Sequence, residues 1–240
     1  MDGSTAWTEQ DSLSSAYRLR FMDRFGYGQS ANRPDKARLN ADVDAVTALL
    51  VGGSHLVGHS YGGLICLMAC AQAPADVRSL TLIEPPAFSI TRGNTHVEAL
   101  VERLAVAYPA ASRQTPQKAV ETFFDALGLV GDPPSSMSME RAVRSTFREP
   151  PPWKLDVPMD ALVAAQRPTL VVSGGWAGGV DNPARHDAGL ALQRVCELLA
   201  ERLKANHVTI TGAAHAVQFT GHPFNVLLGS FMDSVSSAGL

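Results

Sequence analysis

The sequence predicts an α/β protein: a mostly parallel sheet flanked by helices, with one helical insertion. Two observations lead there. Short apolar runs at "SHLVG" (54–58), "VRSLTLIE" (77–84), "RPTLVVSG" (167–174) and "NHVTITG" (206–212) read as strands and alternate with helical or irregular sequence, the arrangement of a parallel sheet covered on both faces. Between Pro85 and Pro168 the strand signal disappears, while helical spacing persists at Val97, Leu100, Val101, Leu104 and Tyr108 and again at Val120, Phe123, Phe124 and Leu127.

In chain order, "YRLRF" (17–21) alternates apolar and basic residues before the glycines at 26 and 28, a strand followed by a turn. Ala41–Leu50 fits a short amphipathic helix. After the 54–58 strand, "GLICLMACAQA" (63–73) is a helix that Pro74 ends. Proline clusters at 85–86 and 150–152 bracket the helical block, which gives a core of residues 1–85 and 161–240 and a helical cap of residues 86–160. Two further helical stripes follow, Leu192–Val195–Cys196–Leu199–Leu203 and Phe224–Leu227–Leu228–Phe231–Val235.

The composition excludes several classes. With 240 residues, 45% of them hydrophobic, and a mean hydropathy of +0.01, the chain can bury a substantial core. Its net charge of −3 and lack of any basic block do not suit nucleic acid. The longest stretch free of Asp, Glu, Lys and Arg, Ala45–Ala75, is broken by glycines and is no membrane span. Met1–Asp2 opens without the features of a signal peptide, and Cys66, Cys70 and Cys196 form neither a metal-ligand spacing nor an even disulfide set. A cytoplasmic location is therefore expected.

Gly58-His59-Ser60-Tyr61-Gly62 places a serine in G-x-S-x-G between a predicted strand and a predicted helix. Glycines two before and two after suit a turn where strand and helix approach closely and the serine backbone is strained. The hydroxyl is thereby lifted toward a helix N-terminus, where N–H groups favour negative charge. Ser60 is the candidate nucleophile, and the Tyr61 N–H is the candidate oxyanion donor. A serine needs a base, and His215, on the loop after the last predicted strand, is the candidate. The other six histidines fall in the elbow, on strands, or on caps and loops; His59 is expected to turn into the core.

These segments together resemble the α/β-hydrolase superfamily, in its cap-bearing single-domain form. "MDRFGYGQS" is similar to that family's strand and glycine turn before the nucleophile, "VGHSYGG" to its nucleophile elbow, "RPTLVVSGG" to the strand leading to the acid, and "ITGAAH" to the segment carrying the histidine. The resemblance spans nearly the whole chain. The family's usual acid position is matched by Ala177, so the acid stays open between Asp181, four residues on and slightly preferred for the Ser-Asp-His order, and Glu84, at the end of the strand after the nucleophile strand, with Asp187 a distant third.

The resemblance also implies three strands and a second oxyanion N–H before "GSTAWTEQ". The expectations are a gap beside the nucleophile strand with unpaired edges, a second donor near Gly3 or Ser4, and a possible homodimer through exposed edges. The implied activity is hydrolysis of an ester, thioester or lactone of a small hydrophobic substrate through an acyl-enzyme, with no cofactor or metal. Carbon–carbon bond hydrolysis and perhydrolase activity share the serine and stay open, whereas Ser60 in place of Asp argues against an epoxide hydrolase or haloalkane dehalogenase. The alternative is a degenerate homologue that binds a small ligand or a partner protein. His59, Phe88, Phe123, Phe124, Trp153 and Trp176 are candidate substrate-pocket residues, each with ordinary packing as the competing explanation.

Overall fold

The computed structural model describes residues 1–32, 38–50, 52–129, 136–177 and 182–238. Four strands form one all-parallel sheet in the order β1-β2-β3-β4: β1 (Ser54–His59), β2 (Val77–Ile83), β3 (Thr169–Gly174) and β4 (Asn206–Ile210). The helices are α1 (Gly3–Ala6), α2 (Arg38–Leu49), α3 (Tyr61–Gln72), α4 (Thr95–Ala111), α5 (Pro116–Ala126), α6 (Met137–Thr146), α7 (Met159–Ala165), α8 (Pro183–Leu203) and α9 (His222–Ala238). Helices α4 to α7 lie between β2 and β3, and α7 runs past residue 160, the expected end of the helical block.

Alternation along the strands sends side chains into two separate cores. Leu80, Leu82 and Val171 pack with Leu64 and Leu67 of α3 and with Leu192, Val195 and Leu199 of α8. Ile83, Leu170 and Val172 pack on the other face with Phe224, Leu228 and Met232 of α9. β2 and β3 are almost wholly buried, which is why they read as continuous apolar runs in the sequence.

The predicted strand at 17–21 is not a strand. It makes no ladder bonds, and side chains fasten it instead: the Tyr17 hydroxyl donates to Asp233, the Tyr17 ring meets His55 edge-on at 5.7 Å, and Arg20 donates to the Leu49 carbonyl at 2.8 Å. Period-2 sequence makes an extended chain, but a strand also requires a hydrogen-bonded neighbour.

β1 is consequently an edge of this sheet. The Ser60 N–H bonds to the Ile83 carbonyl at 2.9 Å, so by alternation the backbone groups of His55, Val57 and His59 point away from β2. A cavity of about 1040 Å³ borders β1 along its length, the segment 17–22, and the site described next.

No described helix is long and apolar enough to cross a membrane.

Candidate active site

Three strands end in residues with left-handed backbone: Ser60 after β1 (φ 53°), Glu84 after β2 (φ 42°) and Trp176 shortly after β3 (φ 49°). Non-glycine residues adopt this conformation at a cost and persist there only when the surroundings impose it. Here the imposed turns bring the three side chains together at the carboxyl ends of the strands.

The turn at Ser60 is set by close approach of β1 to α3. A Cβ at Gly58 would lie 2.6 Å from Cys66 Sγ and 2.8 Å from the Gly62 carbonyl oxygen and Gly63 Cα, and one at Gly63 would lie 2.9 Å from Pro85 Cβ. A Cβ at Gly62 would meet nothing within 4 Å. The second glycine demanded by packing is therefore Gly63 rather than Gly62, because the first turn of α3 rotates residue 62 away from the strand. The Tyr61 hydroxyl donates to the Pro150 carbonyl at 3.0 Å, tying the elbow to the end of the helical insertion.

Ser60 Oγ lies 2.9 Å from His215 Nε2, and His215 Nδ1 lies 2.9 Å from Glu84 Oε2. An ionised carboxylate can only accept, so Nδ1 carries the proton and donates to Glu84, which leaves Nε2 free to accept from the serine hydroxyl. Glu84 is fully buried. Its other oxygen, Oε1, accepts two further bonds of 2.7 Å, from the Gly174 N–H and the Trp176 indole N–H. Three donors on one buried carboxylate compensate its desolvation.

Of the candidate acids, Glu84 is thus the one placed on His215. Asp181 lies outside the described residues. Asp187 is engaged elsewhere, with His96 at 3.1 Å and Arg103 at 3.2 Å.

Tyr61, first residue of α3, has no intrahelical acceptor for its N–H, as at any helix start, and so can present it at the mouth of the helix dipole. Gly3 cannot serve as expected. Its N–H donates to Asp23 Oδ1 at 2.8 Å, and a charge-assisted bond of that kind is not given up to a transient oxyanion.

Phe88, Phe123 and Phe124 border the cavity, as do Ser60, Tyr61 and His215. Two of the aromatic candidates sit elsewhere. Trp153 packs edge-on against Tyr108 at 5.0 Å in the core, and Trp176, 6% exposed, spends its only polar atom on Glu84.

His59 borders the cavity, but both its ring nitrogens are committed: Nε2–H donates to the His215 carbonyl at 2.9 Å and Nδ1 accepts from Gln218 Nε2 at 3.3 Å. Burial, then the neighbouring His215, hold its imidazole well below the usual range, so it is neutral. It supports the histidine loop rather than offering a hydrogen bond to a substrate.

Trp176 as a partner of Glu84, and Gln218 as a partner of His59, were not legible in the sequence. Neither position carries a periodicity or motif, and only the converging loops reveal them.

This fold and site agree with comparison to known proteins. A model of the alpha/beta hydrolase family matches residues 2–226, and the chain belongs to that family. Among relatives, it is 32% identical over 117 residues to a probable lysophospholipase, BODYGUARD 1, of Arabidopsis thaliana, a match covering 44% of this chain and 25% of that protein. It is 28% identical over 158 residues to a pimeloyl-[acyl-carrier protein] methyl ester esterase of Aliivibrio fischeri, covering 63% of this chain and 58% of that one. The chain thus spans between a quarter and about three fifths of the length of these relatives. Among solved structures, a thermophilic esterase from Thermogutta terrifontis superposes with a TM-score of 0.72 at 20% identity, over 98% of this chain and 86% of the other.

Proposed function

We propose that the protein is a serine hydrolase that cleaves a carboxylic ester, thioester or lactone through an acyl-enzyme on Ser60. The observation that carries this reading is the unbroken line Ser60–His215–Glu84, two contacts of 2.9 Å, with Glu84 locked from behind by Gly174 and Trp176.

In the first half-reaction His215 Nε2 takes the serine proton as Oγ attacks the carbonyl carbon. The positive charge then on the imidazole is stabilised by Glu84, which does not itself need to be protonated. The developing oxyanion is placed to receive the Tyr61 N–H at the start of α3, where the helix dipole adds to the stabilisation. The same histidine returns the proton to the departing alcohol or thiol. Water, deprotonated by the same base, then attacks the acyl-serine and regenerates Ser60.

The helical insertion α4–α7, which lends Phe123 and Phe124 to the cavity wall, acts in this reading as the cap that shapes the substrate pocket. The similarity to esterases among relatives supports the class of bond cleaved.

The test is a fluorophosphonate probe on the native protein and on Ser60→Ala, read by intact mass. One adduct that disappears in the variant is expected. No adduct on a cooperatively folded protein overturns the reading in favour of a non-catalytic binding protein.

A further inference from the structure

The cavity beside Ser60 is mainly apolar where α4, α5 and α8 meet, bordered by Leu100, Leu104, Leu127 and Leu192, yet Arg185 of the first turn of α8 also borders it. Arg185 is 8% exposed. Its Nη2 donates to the Ala177 carbonyl at 3.2 Å, its guanidinium lies 5.5 Å from the Trp176 ring centre, and its Nε has no partner among the described residues.

No described carboxylate pairs with it. The nearby Asp187 is already shared between Arg103 and His96. A cation in the first turn of a 21-residue helix also sits at the positive end of the helix dipole, so the helix does not neutralise it. A buried charge with no described counterion is costly, and a guanidinium that borders a ligand cavity matches one chemistry best, a carboxylate.

We propose that Arg185 receives a free carboxylate on the acyl part of the substrate, making the protein selective for half-esters or half-thioesters of dicarboxylic acids. The methylenes between the two ends lie against the leucines, and the scissile carbonyl lies at Ser60. This assignment rests on Ser60 as the nucleophile.

The experiment compares kcat/KM for monomethyl esters of straight-chain dicarboxylic acids with methyl esters of uncharged fatty acids of matched length, across a series of lengths, for the native protein, Arg185→Gln and Arg185→Lys. The expected result is at least a tenfold preference for the charged substrate at one optimal length. That ratio should fall at least tenfold in Arg185→Gln and partly recover in Arg185→Lys.

Equal losses on both substrates would assign Arg185 a structural role through Trp176 and overturn the proposal, as would a native preference for the neutral ester. So would a preference that appears only when the carboxylate is moved to the alcohol part.

Calorimetric binding of the same half-esters to Ser60→Ala, with and without Arg185→Gln, separates this proposal from the catalytic reading. Binding that needs Arg185 sustains the carboxylate site even if no ester is turned over. Binding that is absent, or indifferent to Arg185, removes the site even if neutral esters are hydrolysed.

Discussion

Replacing Glu84 by Gln tests the site more sharply than replacing the serine, because hydrogen-bond bookkeeping decides the outcome. Glu84 Oε1 faces two donors, the Gly174 N–H and the Trp176 indole N–H, each at 2.7 Å, while Oε2 faces His215 Nδ1 at 2.9 Å. A glutamine has one acceptor oxygen, and two fixed donors claim it. The amide NH₂ is then forced toward His215 Nδ1, which must accept, so the proton moves to Nε2. That nitrogen now donates toward Ser60 and can no longer take its proton.

A wrong tautomer in otherwise intact geometry costs about 10⁴ in kcat, or about 5 kcal/mol of transition-state stabilisation. The assay is the rate of fluorophosphonate labelling and of ester hydrolysis, with the unfolding midpoint measured alongside to establish that the variant is folded. Asp181→Asn, by contrast, is expected to change the rate by less than about threefold, since Glu84 already occupies His215 Nδ1. A folded Glu84→Gln with near-native rate, or a 10⁴-fold loss in Asp181→Asn, refutes the reasoning.

Three other outcomes follow from the same geometry. Trp176→Phe keeps a ring but removes the indole donor from Glu84; loss of a hydrogen bond to a buried charge should lower stability by about 1.5–3 kcal/mol in urea unfolding, and an unchanged midpoint would contradict the assignment. Gly58→Ala drives a Cβ into Cys66 and the backbone of Gly62 and Gly63 and should cost about 1–3 kcal/mol or more, whereas Gly62→Ala, facing open space in a helix, should cost nothing and gain up to about 1 kcal/mol; equal effects would show that the elbow packs differently. His55, His59 and His207 are all held below the usual imidazole range, chiefly by burial. In the unfolded chain they take up protons below about pH 6.5 that the folded state refuses, so stability is complete above that pH and falls beneath it, by at most about 1.4 kcal/mol per pH unit for each histidine; denaturation midpoints flat from pH 7 to pH 5 would contradict this.

Much of the frame is legible in the residues because it follows from local rules. A strand buried on both faces must be apolar at nearly every position, so β2 and β3 show themselves as "VRSLTLIE" and "RPTLVVSG". A helix that starts where a strand arrives at van der Waals distance needs glycine there, so the turn at Ser60 announces itself through Gly58, although packing places the second demand on Gly63. The segment 17–21 shows where such rules stop, since its alternation requires an extended chain but cannot supply a partner strand.

By itself, therefore, the sequence determined the class of fold, the serine on its turn and the histidine on the last loop, because motif spacing and burial periodicity are properties of neighbouring residues. The tertiary structure alone decided which carboxylate meets His215, that Trp176 faces Glu84 rather than the cavity, that Gly3 is already engaged by Asp23, and that Arg185 borders the cavity with no described carboxylate paired to it. Each of these depends on contacts between segments from eight to well over a hundred residues apart. Which partner a donor or a charge meets across such distances is set by how the strands stack and where their ends converge, and no local pattern records it.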